Sequence, residues 1–447
     1  MSDSPQSYCL DYRARSEFRR PTSNDRFTRN TFAFILAGGR GERLKHLTAR
    51  RAKPAVPFAG NLKIIDFPLS NCVNSGVRRI AVLTQYKSQS LIRHIDRGWK
   101  FLAANLGEYV DVVPAQQRIG SNWYSGTADA VFQNLDILHE ASFEHVLILA
   151  ADHVYKMDYA VMLADHVTNN ADVTVACLEV PISDARNFGV LAVDDQARVV
   201  EFQEKPSAPN PLPGAPRLAL ASMGIYVFKA AFLCEQLERD AADPESSHDF
   251  GRDIIPKLLR SHRVFAHSFT DSCVNMVGRR PYWRDVGTID AYWDANIELT
   301  KVVPDLNLYD DQWPLMSQQP QLPPAKFVFD DETRRGMAVD SLVSSGCIVS
   351  GATVRRSILF AKVRVGDYSL IEDSVILPNV LIGRSVTLRR VVIDKHCVLP
   401  DGFRAGVCPD EDRTRFHVTE RGITLITTEM LGDLGVVPSA SIASLPA

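Results

Sequence analysis

The chain has 447 residues, 45% of them hydrophobic and 23% charged, with a formal net charge of −3; this is an ordinary globular balance, long enough for two or three domains. The charge gives no reason to expect nucleic acid as a partner, and no apolar run approaches the ~20 residues that span a bilayer. Residues 1–30 are polar, without a secretory apolar stretch, and the eight cysteines are dispersed without a C-x-x-C pair, so a reducing, cytoplasmic setting is expected.

In chain order, residues 1–30 read as an arm: Arg13, Arg15, Arg19, Arg20, Arg26 and Arg29 are offset by Asp3, Asp11, Glu17 and Asp25, which argues against a transit peptide. The run Phe32-Ala33-Phe34-Ile35-Leu36-Ala37 then suits a strand buried on both faces. It ends in Gly38-Gly39-Arg40-Gly41-Glu42-Arg43-Leu44. Glycines let backbone amides approach an anion, and Arg40 and Arg43 supply forked donors for phosphate. The turn is neither G-x-G-x-x-G, since Leu44 falls where the last glycine would be, nor G-x-x-x-x-G-K-[ST]. It either binds phosphate or merely turns the chain. The next segment, Arg50-Arg51-Ala52-Lys53-Pro54-Ala55-Val56-Pro57, is either a second polyphosphate contact or a solvated basic loop.

Strand-like and helix-like segments alternate from there to about residue 302. Strands are predicted over 80–84, 146–151, 173–180, 189–193, 224–228 and 264–267. Helices are predicted over 88–97, 127–139, 159–169, 230–239 and 288–302. The alternation indicates an α/β domain with a mostly parallel sheet, whose ligands bind beyond the carboxyl ends of its strands. Asp152, in Leu149-Ala150-Ala151-Asp152-His153, lies at such an end, placed either to hold a divalent metal or to cap a helix. His153 reads as a packing neighbour rather than a ligand. Lys205, in Val200-Glu201-Phe202-Gln203-Glu204-Lys205-Pro206, either neutralises a phosphate monoester or sits in an exposed turn. Asp285, in Pro281-Tyr282-Trp283-Arg284-Asp285-Val286-Gly287-Thr288, is either a second metal carboxylate or a cap.

Residues 303–340, with Pro304, Pro314, Pro320, Pro323 and Pro324, read as an extended linker. From 341 to 400 apolar residues recur about every sixth position, with Gly346, Gly351, Gly366 and Gly383 at corners. This hexapeptide period indicates stacked coils of a β-helix, with a short-stranded sandwich as the alternative. The tail, 401–447, is polar, with a weak helix near 428–434.

Taken together and in this order, the motifs resemble one family. The glycine turn, Arg51-Ala52-Lys53-Pro54-Ala55 and Ile65-Asp66-Phe67 look like the nucleotide loop of the nucleotidyltransferases that make sugar nucleotides. Pro114-Ala115-Gln116-Gln117-Arg118, Asn122-Trp123-Tyr124, Gly126-Thr127-Ala128-Asp129-Ala130, Ala221-Ser222-Met223-Gly224-Ile225-Tyr226 and Tyr282–Thr288 narrow the resemblance to the bacterial glucose-1-phosphate adenylyltransferases, also called ADP-glucose pyrophosphorylases. The resemblance runs from about 31 to 430.

It implies a Rossmann-like nucleotidyltransferase domain over 31–302, a linker over 303–340, and a left-handed parallel β-helix domain with tail over 341–447, serving oligomerisation and regulation. The reaction implied is ATP plus glucose 1-phosphate to ADP-glucose plus pyrophosphate, with Mg2+, feeding glycogen synthesis. Carried over by motif, Asp152 and Asp285 bind Mg2+ and, with Arg40 and Lys53 on the ATP phosphates, form the catalytic set. Leu36, Ala37, Gly38, Gly39, Arg43, Gln85 and Gly126 surround the nucleotide. Lys205 holds the sugar phosphate, with Tyr124, Gly189, Glu204 and Ser222 around the glucose. The chemistry is coherent, because an ionised phosphate attacking phosphorus needs charge neutralisation more than a base.

Family members are usually homotetramers controlled by glycolytic intermediates, with AMP or related nucleotides inhibiting. In the enzymes activated by fructose 1,6-bisphosphate, a lysine stands where this chain has Arg50, a histidine where it has Pro57, and arginines where it has Lys63 and Lys395. The cations Arg50, Arg51, Lys63 and Lys395 keep a phosphorylated or carboxylate effector in view, with fructose 6-phosphate or pyruvate expected ahead of the bisphosphate. A sister enzyme making UDP- or dTDP-glucose and a non-catalytic regulatory subunit are the rival readings.

Overall fold

A computed structural model describes residues 25–435, apart from Arg40, 117–122, 140–141, 275 and 278–279. Strands β1 (Thr31–Ala37), β2 (Arg79–Thr84), β3 (Tyr109–Pro114) and β4 (His145–Ala150) pair in parallel in the order β3-β2-β1-β4. β1 lies at the centre and alternates its side chains between two cores. Ala33, Ile35 and Ala37 pack with Val82, Leu149, Trp99 and Tyr159. Phe32 and Phe34 pack on the other face with Ile148, Leu237 and Phe250. A strand covered on both faces reads as a continuous apolar run, which is why β1 shows no polar alternation.

The other elements of this region are β5 (His153–Tyr155), β6 (Val173–Pro181), β7 (Gly189–Val193), β8 (Val199–Glu204), β9 (Leu218–Lys229), β10 (Val264–Ser268) and β11 (Trp283–Asp285). β9 joins β4 antiparallel, completing the path β8-β7-β9-β4-β1-β2-β3, with β6 on β9 and β10 on β6. The expected strand over 224–228 is thus one part of a twelve-residue strand. Its register with β6 shifts between Ser222 and Tyr226, and Gly224 takes a φ of +67°, so the apolar pattern is interrupted where the backbone bends. β5 and β11 form a separate antiparallel ladder.

The helices are α1 (Asp66–Asn74), α2 (Gln89–Gly98), α3 (Thr127–Phe132), α4 (Asp136–His139), α5 (Tyr159–Thr168), α6 (Ala230–Ala241) and α7 (Ile289–Glu298). The helix expected over 127–139 is broken into α3 and α4. Asn134 Nδ2 donates to the Ala130 carbonyl at 2.8 Å, a side-chain bond that competes with continued helix. α7 starts at the expected place, with Thr288 Oγ1 accepting from Ala291 N at 3.1 Å. It ends short of 302, where Leu299 and Thr300 close a tight last turn. Among the described residues no helix is long and apolar enough to cross a membrane.

The hexapeptide region forms three stacked parallel sheets, consistent with the left-handed β-helix expected. Ile348 pairs with Arg364, Arg364 with Leu381 and Leu381 with Val398, so one coil takes 16 or 17 residues. Its first coil starts before the expected boundary at 341: Lys326–Val328 and Met337–Val339 already pair in two of the sheets. Those short strands lie among prolines and charges, which hid them from the sixfold pattern. The last turn of the described chain is helix α8 (Thr428–Asp433).

One apolar cluster joins the two regions, holding Phe58, Phe67, Tyr292 and Trp293 against Ile358, Val375, Val392 and Leu425. Trp293 Nε1 donates to the Asp373 carbonyl at 2.8 Å, and the Arg390 guanidinium lies 4.8 Å from its ring. Burying this surface seals the open face of the coils.

Candidate active site

The turn after β1 opens on a cavity of about 460 Å3 at the carboxyl end of the parallel strands, the end where ligands of such sheets bind. Leu36, Ala37, Gly38, Gly39, Lys53, Gln85, Tyr124, Gly126, Asp152 and Glu204 line it, so most residues expected around nucleotide and sugar converge there. Gln85 Nε2 donates to the Tyr124 carbonyl at 3.2 Å, and Asn134 Nδ2 to the Tyr124 hydroxyl at 3.0 Å. Arg40 lies outside the described residues, as do Gln117, Arg118 and Asn122 of the quoted motifs, and the arm before 25.

The β5–β11 ladder sets Asp285 opposite His153. It brings together two aspartates separated by 132 intervening residues. Lys53 Nζ donates to Asp152 Oδ2 at 3.0 Å and to Asp285 Oδ1 at 2.6 Å. Arg43 Nη2 donates to Asp285 Oδ2 at 3.1 Å. One ligand atom each from Asp152, His153 and Asp285 fall within 4.8 Å of one another. His153, read from sequence as a packing neighbour, does pack on Trp283, ring centroids 4.7 Å apart, yet also stands inside this cluster.

The charges are mutually tuned. Burial pulls the Lys53 ammonium down, but Asp152 and Asp285 outweigh it and leave its pKa above the ordinary lysine value. Burial pushes the Asp152 carboxyl up, and Lys53 and His153 more than reverse this, holding it well below the usual range. Asp285 is held down in the same way. Burial keeps His153 below the ordinary histidine value against the pull of Asp152 and Asp285. Arg43 and Asp285 also line a neighbouring cavity of about 410 Å3, with Phe188, Trp283 and Gly287.

The expected sugar residues sit on the edge strands. Lys205 Nζ donates to Glu204 Oε1 at 2.6 Å and is largely exposed. Glu204 pairs across the ladder with Gly189. A Cβ on Gly189 would lie 2.5 Å from Phe202 Cζ and 3.0 Å from Glu204 Oε2, so the missing side chain is the space Glu204 and Phe202 occupy. Ser222 is buried on β9, and its Oγ accepts from Gly224 N at 3.3 Å. Gly189, Lys205 and Ser222 are not among the residues that line the cavity.

Sequence reasoning gave no role to Tyr226, Asp249 or Gly251, which line the same cavity. Burial pushes the Tyr226 hydroxyl up, so it stays protonated. Asp249 accepts from Thr127 Oγ1 at 3.0 Å and from Gly251 N at 2.9 Å, tying the start of α3 to the cavity rim. The signal was an aspartate followed by Phe-Gly before an apolar run, which is also an ordinary cap.

The four expected effector cations gather at the junction with the β-helix. Arg51 is buried, with Nη2 2.7 and 2.6 Å from the Asp394 oxygens. Its Nε and Nη1 have no partner among the described residues. Arg50 pairs with Glu429 at 2.6 Å. Burial lowers the Lys63 pKa to about 8 despite Asp66, with Lys395, Arg51 and Arg93 adding to the drop. Burial lowers Lys395 too, helped by Arg51. Asp66 is the carboxylate that opposes the drop at Lys63; it is fully buried and accepts from His94, Trp99, Ser317 and the Lys63 amide.

Residues 32–302 match the Nucleotidyl transferase family, and residues 323–426 match GlmU-like, C-terminal hexapeptide. A glucose-1-phosphate adenylyltransferase of Methylobacillus flagellatus is 66% identical over 91% of this chain and 95% of its own length. One from Nitrosomonas europaea is 64% identical over 91% and 94%, and one from Nitrosospira multiformis 61% over 92% and 96%.

Proposed function

Because the chain belongs to the glucose-1-phosphate adenylyltransferase family of nucleotidyl transferases, we propose that it converts ATP and α-D-glucose 1-phosphate to ADP-glucose and pyrophosphate, with Mg2+. A phosphate oxygen of glucose 1-phosphate forms the new bond to the α-phosphorus of ATP, and the bond to the bridging oxygen breaks to release pyrophosphate. The monoester is already ionised near pH 7, so no general base is required. The observation that carries the reading is the β5–β11 ladder, which joins Asp152 and Asp285 beside the glycine turn.

Two carboxylates with oxygen donors this close suit a hard divalent ion, and Asp152 and Asp285 would hold it. Bound there, Mg2+ supplies charge neutralisation on the phosphates. Lys53 and Arg43 add positive charge on the same side, and the glycine-turn amides face the nucleotide. Arg40, as the family motif suggests, joins them. Lys205 holds the sugar phosphate, with Tyr124 and Glu204 of the cavity lining against the glucose and Ser222 and Gly189 supporting them, Gly189 by leaving Glu204 its space.

We read the junction cations as the effector site. Arg51 offers unpartnered donors, and Lys63 lines a cleft of about 250 Å3 with His94 and Lys362. A small phosphorylated or carboxylate activator suits it, fructose 6-phosphate or pyruvate ahead of fructose 1,6-bisphosphate, with AMP or a related nucleotide inhibiting. A homotetramer assembled through the β-helix domain, working in the cytoplasm and feeding glycogen synthesis, completes the proposal.

The test is pyrophosphate release from glucose 1-phosphate and Mg2+ with ATP, UTP or dTTP, each with and without the three effectors. Turnover with ATP alone, raised by fructose 6-phosphate or pyruvate, is expected. Turnover with UTP or dTTP would move the chain to a sister activity. Strong activation by the bisphosphate alone would overturn the effector assignment.

A further inference from the structure

Lys53 sits on both carboxylates of the candidate metal pair. Its Nζ is 3.0 Å from Asp152 Oδ2 and 2.6 Å from Asp285 Oδ1, and its side chain is 5% exposed. Each of these bonds occupies one of the carboxylate oxygens available to a metal ion. The carboxylates are matched by cations, because Asp152 and Asp285 face Lys53 and Arg43. A divalent ion added to that set would leave excess positive charge beside the buried Lys53 ammonium, which is costly where the effective dielectric is reduced.

The lysine backbone cannot retreat. Val56 N donates to the Lys53 carbonyl at 3.0 Å, and Ile65 N to the Pro54 carbonyl at 3.0 Å. The side chain can move, because Lys53 lines the same cavity as Gly38 and Gly39. A nucleotide polyphosphate in that cavity would supply the anionic oxygens that draw the ammonium off the carboxylates.

We propose that Lys53 is a resident competitor for the divalent-cation site, so that tight cation binding is conditional on nucleotide phosphate in the neighbouring cavity. The proposal rests on the reading of Asp152 and Asp285 as the metal pair. Ion and nucleotide then bind with positive coupling, and the site rejects free cation.

Mn2+ is the probe, its free concentration read by electron paramagnetic resonance on the full chain at pH 8, with and without α,β-methylene-ATP. The unaltered protein should bind Mn2+ weakly alone and far more tightly with the analogue. Lys53→Gln should bind Mn2+ without nucleotide at least about tenfold tighter than the unaltered protein, since one competing charge is gone. Lys53→Arg should stay weak. Lys53→Met, which keeps the aliphatic stem, is the second neutral variant, and circular dichroism checks folding. Equal or weaker Mn2+ binding by folded Lys53→Gln and Lys53→Met overturns the competition and leaves the metal pair standing. Mn2+ binding that survives Asp152→Asn plus Asp285→Asn in the Lys53→Gln background overturns both.

Discussion

Two lysines of one segment, Lys53 and Lys63, meet opposite environments. Lys53 faces two carboxylates and its pKa is raised against the effect of burial. Lys63 is pulled down to about 8 by burial, with Lys395, Arg51 and Arg93 adding to the drop against Asp66. Both regions are built from the same residue types, so the ligand each attracts follows from which charge is left over. At the sheet end carboxylates are in balance with cations and a polyanion tips the balance. At the junction Arg50, Arg51, Arg93, Lys63 and Lys395 outnumber Asp66, Asp394 and Glu429. On the proposed function the first arrangement would gather a metal with phosphates, and the second an anion alone.

The comparison breaks most sharply at the carboxylates. Asp285→Asn should lower kcat by roughly 10^3-fold or more in the pyrophosphate assay while thermal unfolding stays cooperative. Unchanged turnover would remove Asp285 from the chemistry. Asp152→Asn should behave alike. Lys205→Ala should raise the KM for glucose 1-phosphate by roughly 10–100-fold with less effect on kcat, as loss of ground-state phosphate binding does. A rise confined to the ATP KM would contradict its place on the sugar side.

At the junction the expected effects are smaller and depend on pH. Lys63 carries its charge below its pKa of about 8 and loses it above. Activation by an anionic effector should therefore be strongest below pH 8 and weaken as pH rises through it, by up to about tenfold per unit. Lys63→Met should flatten that profile, and a profile unchanged in the variant would exclude Lys63. Folding has the opposite sign: the depressed lysine disfavours the native state below pH 8, and that penalty is relieved as pH rises toward 10.5. The smallest effect belongs to the exposed Arg421–Asp294 pair between the two regions. Arg421→Ala should cost at most about 1 kcal/mol in denaturant unfolding, and less in high salt.

What the sequence made legible follows from the range of the signals. β1 and the glycine turn are local patterns, a continuous apolar run meeting residues with special backbone freedom, and both stand where the pattern places them. The β-helix is a repeat, so its period survives irregular coils, although the first coil at 326–328 escaped because its strands are too short and polar to keep time. Long-range placement was not legible from periodicity. Nothing local in Trp283-Arg284-Asp285 says that it will pair with 153–155, and the family resemblance alone put Asp285 beside Asp152. Lys53 was expected on phosphates, whereas its bonds run to the two aspartates. Tyr226 and Asp249 escaped because a tyrosine in a strand and an aspartate before a helix are ordinary structural residues.

The β5–β11 ladder also orders events in time. A ribosome delivers Gly38 about 250 residues before Asp285, and at roughly 5–20 residues per second this is a delay on the order of 10–50 s. For the later part of that interval the nascent chain holds the glycine turn, Lys53 and Asp152 without the second aspartate. The ladder can close only once that strand has emerged, so Asp285 reaches Asp152 and Lys53 as a late step of synthesis.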